Sequence, residues 1–428
     1  MLFPLNRRLA WRLVVPVPPL KAAVFVSLTL CGAGGLTVPD AVAREPDHQS
    51  NVSLRLRYGL AESGPVAGKT ASAAFTWHLN SVWSEQLSSR LELNHVHTAF
   101  DDDYNDGREM NDQPVIPDVA STELKQLALA WDDGVNRLLL GRQRLELDDQ
   151  RFIGSNNFWQ NDQTLDALSY RRAWMFSSAV RYSYVHRAHR IFATNGVARR
   201  NSDNSRNAYR LQPGQHDHNS HLLHLSLKDW DYQDISLFYY DIEIDQQPLL
   251  GNRTVGGRYQ YERRWGGLKP SLTLSLADQT RPDSGQSVHI PYYLLQLQLA
   301  APSRAVAVRH EVLGSRKGLG LVTPLADLHA FQGWADAFNG QPGTGIRDTS
   351  IKLLWRDTPL RLDLRQHWFE RDADGAFLGR ETDLDVLLKI NRQQRLLLRY
   401  ARFSPANAAQ NDRVAAEQRL FFSYRLHF

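Results

Sequence analysis

Arginine recurs at every second position in several stretches of the chain, often with aspartate or glutamate on the same side. A guanidinium group binds a carboxylate through two parallel hydrogen bonds and stays charged at any working pH. Rings of such side chains select anions in membrane pores. The same residues could instead form a structural lattice in which each arginine is neutralised by an acid. For a single arginine we favour the lattice, and for the set as a whole we favour an anion track.

Alternation gives these side chains a direction if the stretches are β-strands that cross a membrane. Apolar positions must then face lipid, where a charge at the midplane costs about 2–4 kcal/mol, and the positions between them face the interior. This predicts an interior in which arginine exceeds acid. The inward arginines would be Arg55, Arg57, Arg142, Arg144, Arg181, Arg258, Arg309, Arg361, Arg365, Arg399 and Arg425, and the inward acids would include Glu92, Glu262, Glu311, Asp363, Asp383 and Asp385.

Opposite charges also lie together between Arg142 and Arg151. Arg142 and Arg144 end a predicted strand, and Asp148, Asp149 and Arg151 follow in a loop. If this loop folds inward, acid and arginine across a constriction would set size and charge selectivity. The alternative is a charged loop fixed to the wall by salt bridges. The residues expected to line the lumen or its constriction are therefore Arg55, Arg57, Arg142, Arg144, Asp148, Arg151, Arg309, Arg361, Arg365 and Arg399.

Two clusters contain metal-ligating residue types, namely His216-Asp217-His218 with His221 and His224, and Asp101-Asp102-Asp103 with Asp106. A transition metal needs ligands that converge at about 2.0–2.1 Å, which this spacing does not ensure. The aspartates lack the ordered spacing of an EF-hand and are typical of a solvated loop. We expect neither a metal nor a cofactor.

Residues 1–43 have the pattern of a cleaved secretory signal peptide, with a basic start, an apolar stretch from about Ala22 to Leu36, and the cleavage signal Ala41-Val42-Ala43. The stretch is shorter than the ~20 residues of a spanning helix. The leader holds four of the 50 basic residues, one of the 46 acidic residues and the single cysteine, Cys31. The mature chain, residues 44–428, is then nearly neutral, which argues against nucleic-acid binding, and it lacks disulfides.

The mature chain alternates apolar and polar residues in segments of about ten residues, as membrane β-strands do. Short connections such as 132–134 and 357–358 alternate with long ones at 98–122, 145–163, 188–218 and 314–346, which is typical of periplasmic turns and extracellular loops. We predict about 18 strands, at 52–60, 70–80, 86–97, 123–132, 135–144, 164–173, 176–187, 219–229, 232–244, 254–264, 268–278, 289–300, 303–313, 347–356, 359–370, 380–390, 393–403 and 416–428.

The last segment alternates apolar residues and ends on Phe428. It resembles the signal by which the barrel-assembly machinery recognises outer-membrane barrels. A free strand this apolar would be prone to aggregation, whereas pairing with the first strand would remove the edge. Aromatic residues near predicted strand ends favour an interfacial girdle; they are Trp77, Trp131, Trp230, Trp265, Trp355, Trp368 and Tyr424.

Two stretches go beyond a general barrel pattern. One is GRQRLELDDQRFIG from Gly141, continued by NNFWQNDQTLDA from Asn156, and the other is HAFQGWADAF from His329, followed by Pro342 and by GIRD from Gly345. Both resemble the alginate-export family of outer-membrane proteins, over nearly the whole mature chain. The resemblance implies an 18-stranded monomeric barrel whose namesake passes a polyanionic polysaccharide through an arginine-rich lumen.

These observations predict an all-β, transmembrane, antiparallel up-and-down barrel in the bacterial outer membrane, with lipid and lipopolysaccharide around it. We expect a monomeric channel that passes an anionic small molecule or uronate-type solute by diffusion. An exporter of an anionic polysaccharide such as alginate is the alternative. An enzyme or a purely structural barrel is less favoured, because hydrolase and nucleotide-binding motifs are absent and candidates such as Ser183 and His186 stand in no motif.

Overall fold

The computed structural model describes residues 46–99, 103–108, 113–175, 177–194, 214–283, 286–411 and 414–428. The predicted signal peptide, residues 1–43, lies outside the described residues, and its cleavage stays a prediction. Within the described ranges, no helix is both long and apolar enough to cross a membrane.

Eighteen long antiparallel strands form a wall in these ranges, and two short strands, β14 and β15, form a hairpin in a loop. The strands are β1 Asp47–Ser63, β2 Val66–Val82, β3 Leu87–Ala99, β4 Ser121–Asp132, β5 Asn136–Gln143, β6 Thr164–Ala173, β7 Ala179–His189, β8 Gln215–Trp230, β9 Gln233–Ile242, β10 Asn252–Glu262, β11 Lys269–Asp283, β12 Gln286–Ala300, β13 Arg304–Leu313, β14 Ser315–Arg316, β15 Leu319–Gly320, β16 Ile346–Asp357, β17 Leu360–Arg371, β18 Phe377–Lys389, β19 Gln394–Pro405 and β20 Glu417–His427. A short helix, α1 Asn407–Asn411, precedes β20.

The wall closes on itself because β1 pairs with β2 on one side and with β20 on the other. Leu54, for example, stands opposite Phe75 on β2 and Leu426 on β20. Closure removes every strand edge and satisfies the backbone groups that lipid cannot bond. The predicted barrel of about 18 strands is confirmed, and each predicted strand overlaps an observed one.

An apolar belt surrounds the wall, because outward positions carry mainly aliphatic and aromatic side chains. Leu127, Leu140 and Leu276 are 54%, 57% and 61% exposed. So large an exposed apolar surface requires lipid rather than water. Trp131 and Trp230 are also exposed, next to short turns, as the predicted girdle requires.

The two ends of the barrel differ in their connections. Short turns join strands at the end that holds Asp47 and His427, which is the periplasmic end. The strand ends that flank the longest connections, namely Ala99 and Ser121, Gln143 and Thr164, His189 and Gln215, and Leu313 and Ile346, lie at the other, extracellular end as predicted. One tight hairpin, at residues 64–65 between β1 and β2, also lies at the extracellular end.

Two of the long connections fold into the barrel. We call residues 144–163 loop A and residues 314–345 loop B. Leu147 of loop A belongs to a buried cluster with Phe238 on β9. Trp334 and Phe338 of loop B pack in another cluster with Phe369 on β17. The lumen therefore has its own apolar core and is narrowed by these loops.

Candidate functional site: the loop-lined lumen

Loop A is held inside the barrel by charge pairs. Arg144, at its start, binds both carboxylate oxygens of Glu92 on β3, at 2.5 and 2.6 Å, and also contacts the carboxylate of Asp162. Lys125 on β4 donates to the Asp162 carbonyl oxygen at 2.5 Å. Arg144 thus lies on the lumen side of the wall, where its charge fixes the loop.

The acids of loop A contact the wall at strands β8, β9 and β10. Asp148 lies 3.0 Å from the ring nitrogen of His224 and accepts a hydrogen bond from Ser236 Oγ at 2.6 Å, while Asp149 pairs with Arg258 at 2.7 Å. Burial alone would raise the pKa of Asp148, but the His224 and Ser236 contacts outweigh it and hold the pKa below its usual value. The predicted alternative of a loop fixed by salt bridges therefore describes Asp148 and Asp149, in a loop that also narrows the lumen.

Two arginines flank the ring of Phe331 in loop B. The guanidinium carbon of Arg151 lies 4.6 Å from the ring centre and that of Arg309 lies 5.3 Å from it. Both arginines form ion pairs with Oε1 of Glu311, at 3.3 and 3.1 Å. Arg151 is almost fully buried, and none of its guanidinium nitrogens has a hydrogen-bond partner within the described residues. This layer of the lumen carries one positive charge in excess.

Three cations share one carboxylate lower on the wall. Lys352 Nζ, Arg361 Nη2 and Arg365 Nε lie 3.0, 3.4 and 3.1 Å from the Asp363 carboxylate. The Asp363 side chain is 2% exposed, whereas those of Lys352, Arg361 and Arg365 are 30%, 43% and 24% exposed. This group, the cation cluster, therefore presents two excess positive charges to the lumen.

Loop B rests on the same wall. The Trp334 ring contacts both Arg365 and Arg399, whose guanidinium carbons are 4.3 and 3.9 Å from its centre. Arg399 also binds Asp385 on β18 through two hydrogen bonds of 2.7 and 2.6 Å. A cation on an aromatic face is attracted by the ring quadrupole, so Trp334 orients both guanidinium groups.

The two loops meet at Phe158 and His329, whose rings stack with centres 4.1 Å apart. His329 Nδ1 lies 2.8 Å from Asp336 Oδ1, and His329 Nε2 lies 2.9 Å from a guanidinium nitrogen of Arg399. Burial holds the pKa of His329 below its usual value, despite Asp336. A neutral ring with its proton on Nδ1 donates to Asp336 and accepts from Arg399.

Open space remains beside these groups. A cavity of about 170 Å³ lies against loop B, and its lining includes the cations Arg309, Lys352 and Arg365 and the acids Glu311 and Asp348. A larger cavity of about 580 Å³ lies at the periplasmic end, bordered by Glu262, Lys269 and Arg356 among others. Both cavities border cations of the lumen wall.

Arg55 and Arg57 anchor loop A instead of facing free space. Arg57 pairs with the buried Asp118 at 2.7 Å, and Arg55 donates to the Trp159 carbonyl oxygen at 2.9 Å. Both also contact the carbonyl oxygen of Phe158. Arg55 and Arg57 therefore have the structural role that the sequence analysis gave as the alternative to an anion track, since their guanidinium groups bind protein groups.

Two rows of arginine cross neighbouring strands. Arg55, Arg425 and Arg395 stand opposite one another on β1, β20 and β19, and Arg137, Arg171 and Arg181 do so on β5, β6 and β7. Like charges directly opposite are unfavourable unless another group compensates them. In the described part of the chain, Arg137 has an ion pair with Asp132, at 3.4 Å.

The prediction that Arg142 faces the lumen is wrong. Arg142 stands opposite Leu127, an exposed outward residue, and Asp166, which it binds at 2.7 Å. It therefore belongs to the outer face, at the extracellular end of β5. Period-two alternation from Leu138 and Leu140 already places residue 142 outward. It lies next to the belt residues Leu127 and Leu140, at the upper edge of the apolar belt, where the ion pair with Asp166 compensates its charge.

Lys352 was missed as a lumen residue, although its position between Ile351 and Leu353 of β16 directs it inward. Phe331 and Trp334 were noted only as part of a family motif. Nothing in the sequence alone marks them as supports for arginine side chains, because that role depends on where loop B lies.

The histidine cluster does not converge. His224 faces Asp148, whereas His221 is exposed and bonds Tyr182 at 2.8 Å. Among the described residues, no group of three or more His, Cys, Asp or Glu side chains could hold a metal ion. Of the second cluster, Asp101 and Asp102 lie outside the described residues, and Asp106 pairs with Arg108 at 2.7 Å.

Comparison with known proteins identifies the fold. No protein-family model and no curated protein sequence matches the chain. Among similar solved structures, OpdL of Pseudomonas aeruginosa is 14% identical with a TM-score of 0.65, and the match covers 89% of this chain and 99% of that one. OccAB1 of Acinetobacter baumannii is 8% identical, with a TM-score of 0.68 and coverage of 89% and 96%. OccK8 (OprE) of Pseudomonas aeruginosa is 11% identical, with a TM-score of 0.64 and coverage of 89% and 98%.

The resemblance to the alginate-export family is therefore wrong, since the similar structures are outer-membrane porins of the Occ and Opd groups. The motifs behind it lie largely in loops A and B, where Asp148, Gln150, Asn156 and Gln332 adopt positive φ angles. The backbone conformation of loops A and B thus accounts for several of the polar residues in these motifs. The expected monomer rested on that resemblance and stays a prediction, whereas the predicted outer-membrane location is confirmed.

Proposed function

We propose that this chain is an outer-membrane channel that passes small anionic solutes, such as carboxylates, by diffusion past loops A and B. The cation cluster carries the proposal, because Lys352, Arg361 and Arg365 share the single carboxylate of Asp363. Two of the three cations also line the 170 Å³ cavity. The likeness of the fold to porins supports a channel.

A solute carboxylate would exchange between partly exposed cations. Arg365 and Lys352 can bind it while Asp363 keeps them in place, and Arg309 lies on the same cavity next to loop B. Guanidinium groups favour carboxylates through paired hydrogen bonds. Asp363 competes for the same donors, which keeps binding weak enough for release, as conduction requires. The proposal includes no cofactor, energy source or enzymatic step.

The test is the reversal potential of the purified mature protein in a planar bilayer under a KCl gradient. We expect a reversal potential of the sign that reports chloride preference, and a reversible reduction of current by a small carboxylate such as galacturonate. A matched neutral sugar is the control and should leave the current unchanged. Cation preference or absence of conductance would contradict the proposal.

A further inference from the structure

Outward-facing arginines near the extracellular ends of the strands are generally paired with acids. Arg142 binds Asp166 at 2.7 Å, Arg253 binds Asp241 at 3.0 Å and Arg347 binds Asp372 at 3.0 Å. Two neighbours differ from this pattern. Arg380 on β18 and Arg402 on β19 are exposed, and neither has an ion pair or a side-chain hydrogen bond within the described part of the chain.

The strand register brings these two side chains together. Arg402 stands opposite Thr382, and Arg380 is two residues before Thr382 on the same strand. The two arginines are therefore diagonal neighbours on one face, about 7–8 Å apart with their Cβ atoms somewhat closer. Because an arginine side chain is long and flexible, both guanidinium groups can reach one anion between them.

The surroundings of the pair place it at the upper edge of the apolar belt. Arg380 stands opposite Trp368, which is 38% exposed on the outer face. Towards the middle of the membrane, the same face continues with Leu384 on β18 and Leu398 on β19. Tryptophan at such an edge is typical of the interface between lipid and water. The pair therefore lies at the depth of the lipid headgroups.

We propose that Arg380 and Arg402 bind a phosphate of lipopolysaccharide in the outer leaflet. Two adjacent unpaired guanidinium groups repel each other, and a shared phosphate would remove the repulsion through charge-assisted hydrogen bonds. Glu370 is exposed near the end of β17 and neutralises at most one of the two charges. The acyl chains of the same lipid would lie along the apolar belt below, which favours a lipid phosphate over a free one.

The test uses native mass spectrometry of the purified barrel in detergent, titrated with diphosphorylated lipid A. The double variant Arg380→Gln, Arg402→Gln should bind this lipid about tenfold or more weakly than the unaltered protein. Arg253→Gln is the matched control, because it also removes an outward arginine at the extracellular end, but one that Asp241 already neutralises. It should bind lipid A as the unaltered protein does.

Two further arms identify the source of the phosphate. Lipid A without its phosphates should bind the unaltered protein as weakly as diphosphorylated lipid A binds the double variant. Inorganic phosphate, in excess over the lipid, should not displace it. The proposal is overturned if the double variant keeps full affinity, if the dephosphorylated lipid binds equally well, or if inorganic phosphate competes. Heat-dependent migration in a denaturing gel checks that each variant is folded.

Discussion

A side-chain carbon added to Gly333 would lie 2.2 Å from Oε1 of Glu381. Gly333 also has a φ of +80°, a conformation that residues with side chains rarely adopt. The next two residues of loop B, Trp334 and Ala335, direct their backbone N–H groups to Asp383 and Glu381, at 3.4 and 2.7 Å. The absence of a side chain at Gly333 therefore allows loop B to approach the wall this closely.

Replacing Gly333 with alanine should displace loop B and widen the lumen, because the clash involves a carboxylate fixed in a fully buried position. We expect a larger single-channel conductance and a lower thermal unfolding temperature. Gly266→Ala is the control, since Gly266 also has a positive φ, of +59°, but no atom lies within 4 Å of an added Cβ. Equal conductance in the two variants would contradict the role given to Gly333.

The cation cluster allows opposite changes in selectivity. Lys352→Gln removes one of its three positive charges and should shift the reversal potential towards cation preference. Asp363→Asn removes its negative charge and should shift the reversal potential towards stronger anion preference, because the cations then lack an internal counter-ion. Both variants are measured under the same salt gradient. Shifts of the same sign would show that the cluster does not set selectivity.

Arg144 is expected to be the main electrostatic support of loop A. Arg144→Met removes the partner that Glu92 and Asp162 share, and breaking a buried ion pair costs about 3–5 kcal/mol when nothing else compensates the remaining charge. We expect a cost towards or below the lower end of that range, because Gln126 still donates to Glu92 and Lys125 still pairs with Asp162. Arg137→Met removes an exposed partner of Asp132 and should cost less than about 1 kcal/mol. Urea unfolding in detergent, followed by tryptophan fluorescence, compares the two. A similar midpoint for both variants would contradict this assignment.

Loop B should be more stable in mild acid than at neutral pH because of Asp327. Burial raises the pKa of this carboxyl from 3.8 to about 6. A raised pKa means that the folded loop binds the proton more tightly, so the contribution is full below pH 3.8 and is lost as the pH rises through about 6.

Hydrogen exchange of the loop B amides at pH 5 and pH 7, corrected for intrinsic rates, measures this effect. Protection should be greater at pH 5 in the unaltered protein. Asp327→Asn, which stays neutral, should remove the difference and protect the loop at pH 7. A pH dependence that survives this substitution would assign the effect to another group.

The strands of the wall could be predicted from the sequence because the alternation of apolar and polar residues is visible within each strand. Each strand must alternate to face lipid on one side, so even Lys352 follows a rule that residues 351–353 display. Arg142 was assigned to the lumen because the alternation was not counted from Leu138 and Leu140. Those two residues face outward, and the alternation therefore directs Arg142 outward as well.

The constriction was not predictable in the same way. Phe158 and His329 are far apart in the chain, and their stacking depends on two irregular loops that enter the barrel from different sides. No periodic pattern records such a contact. The mistaken family resemblance has the same cause. It rested on residues of loops A and B, and the conformation of these loops cannot be read from the sequence.

The pairing of β1 with β20 also has a kinetic consequence. Leu54 and Leu426 come from the first and last strands of the barrel, so their contact closes a longer loop than any other strand pair of the wall, and it is the costliest to close. Until it forms, both strands offer unpaired edges to other chains. Assembly is therefore most prone to aggregation before β1 and β20 pair. A chain that lacks only β20 would leave an open sheet with two unpaired strand edges, which could pair with other chains.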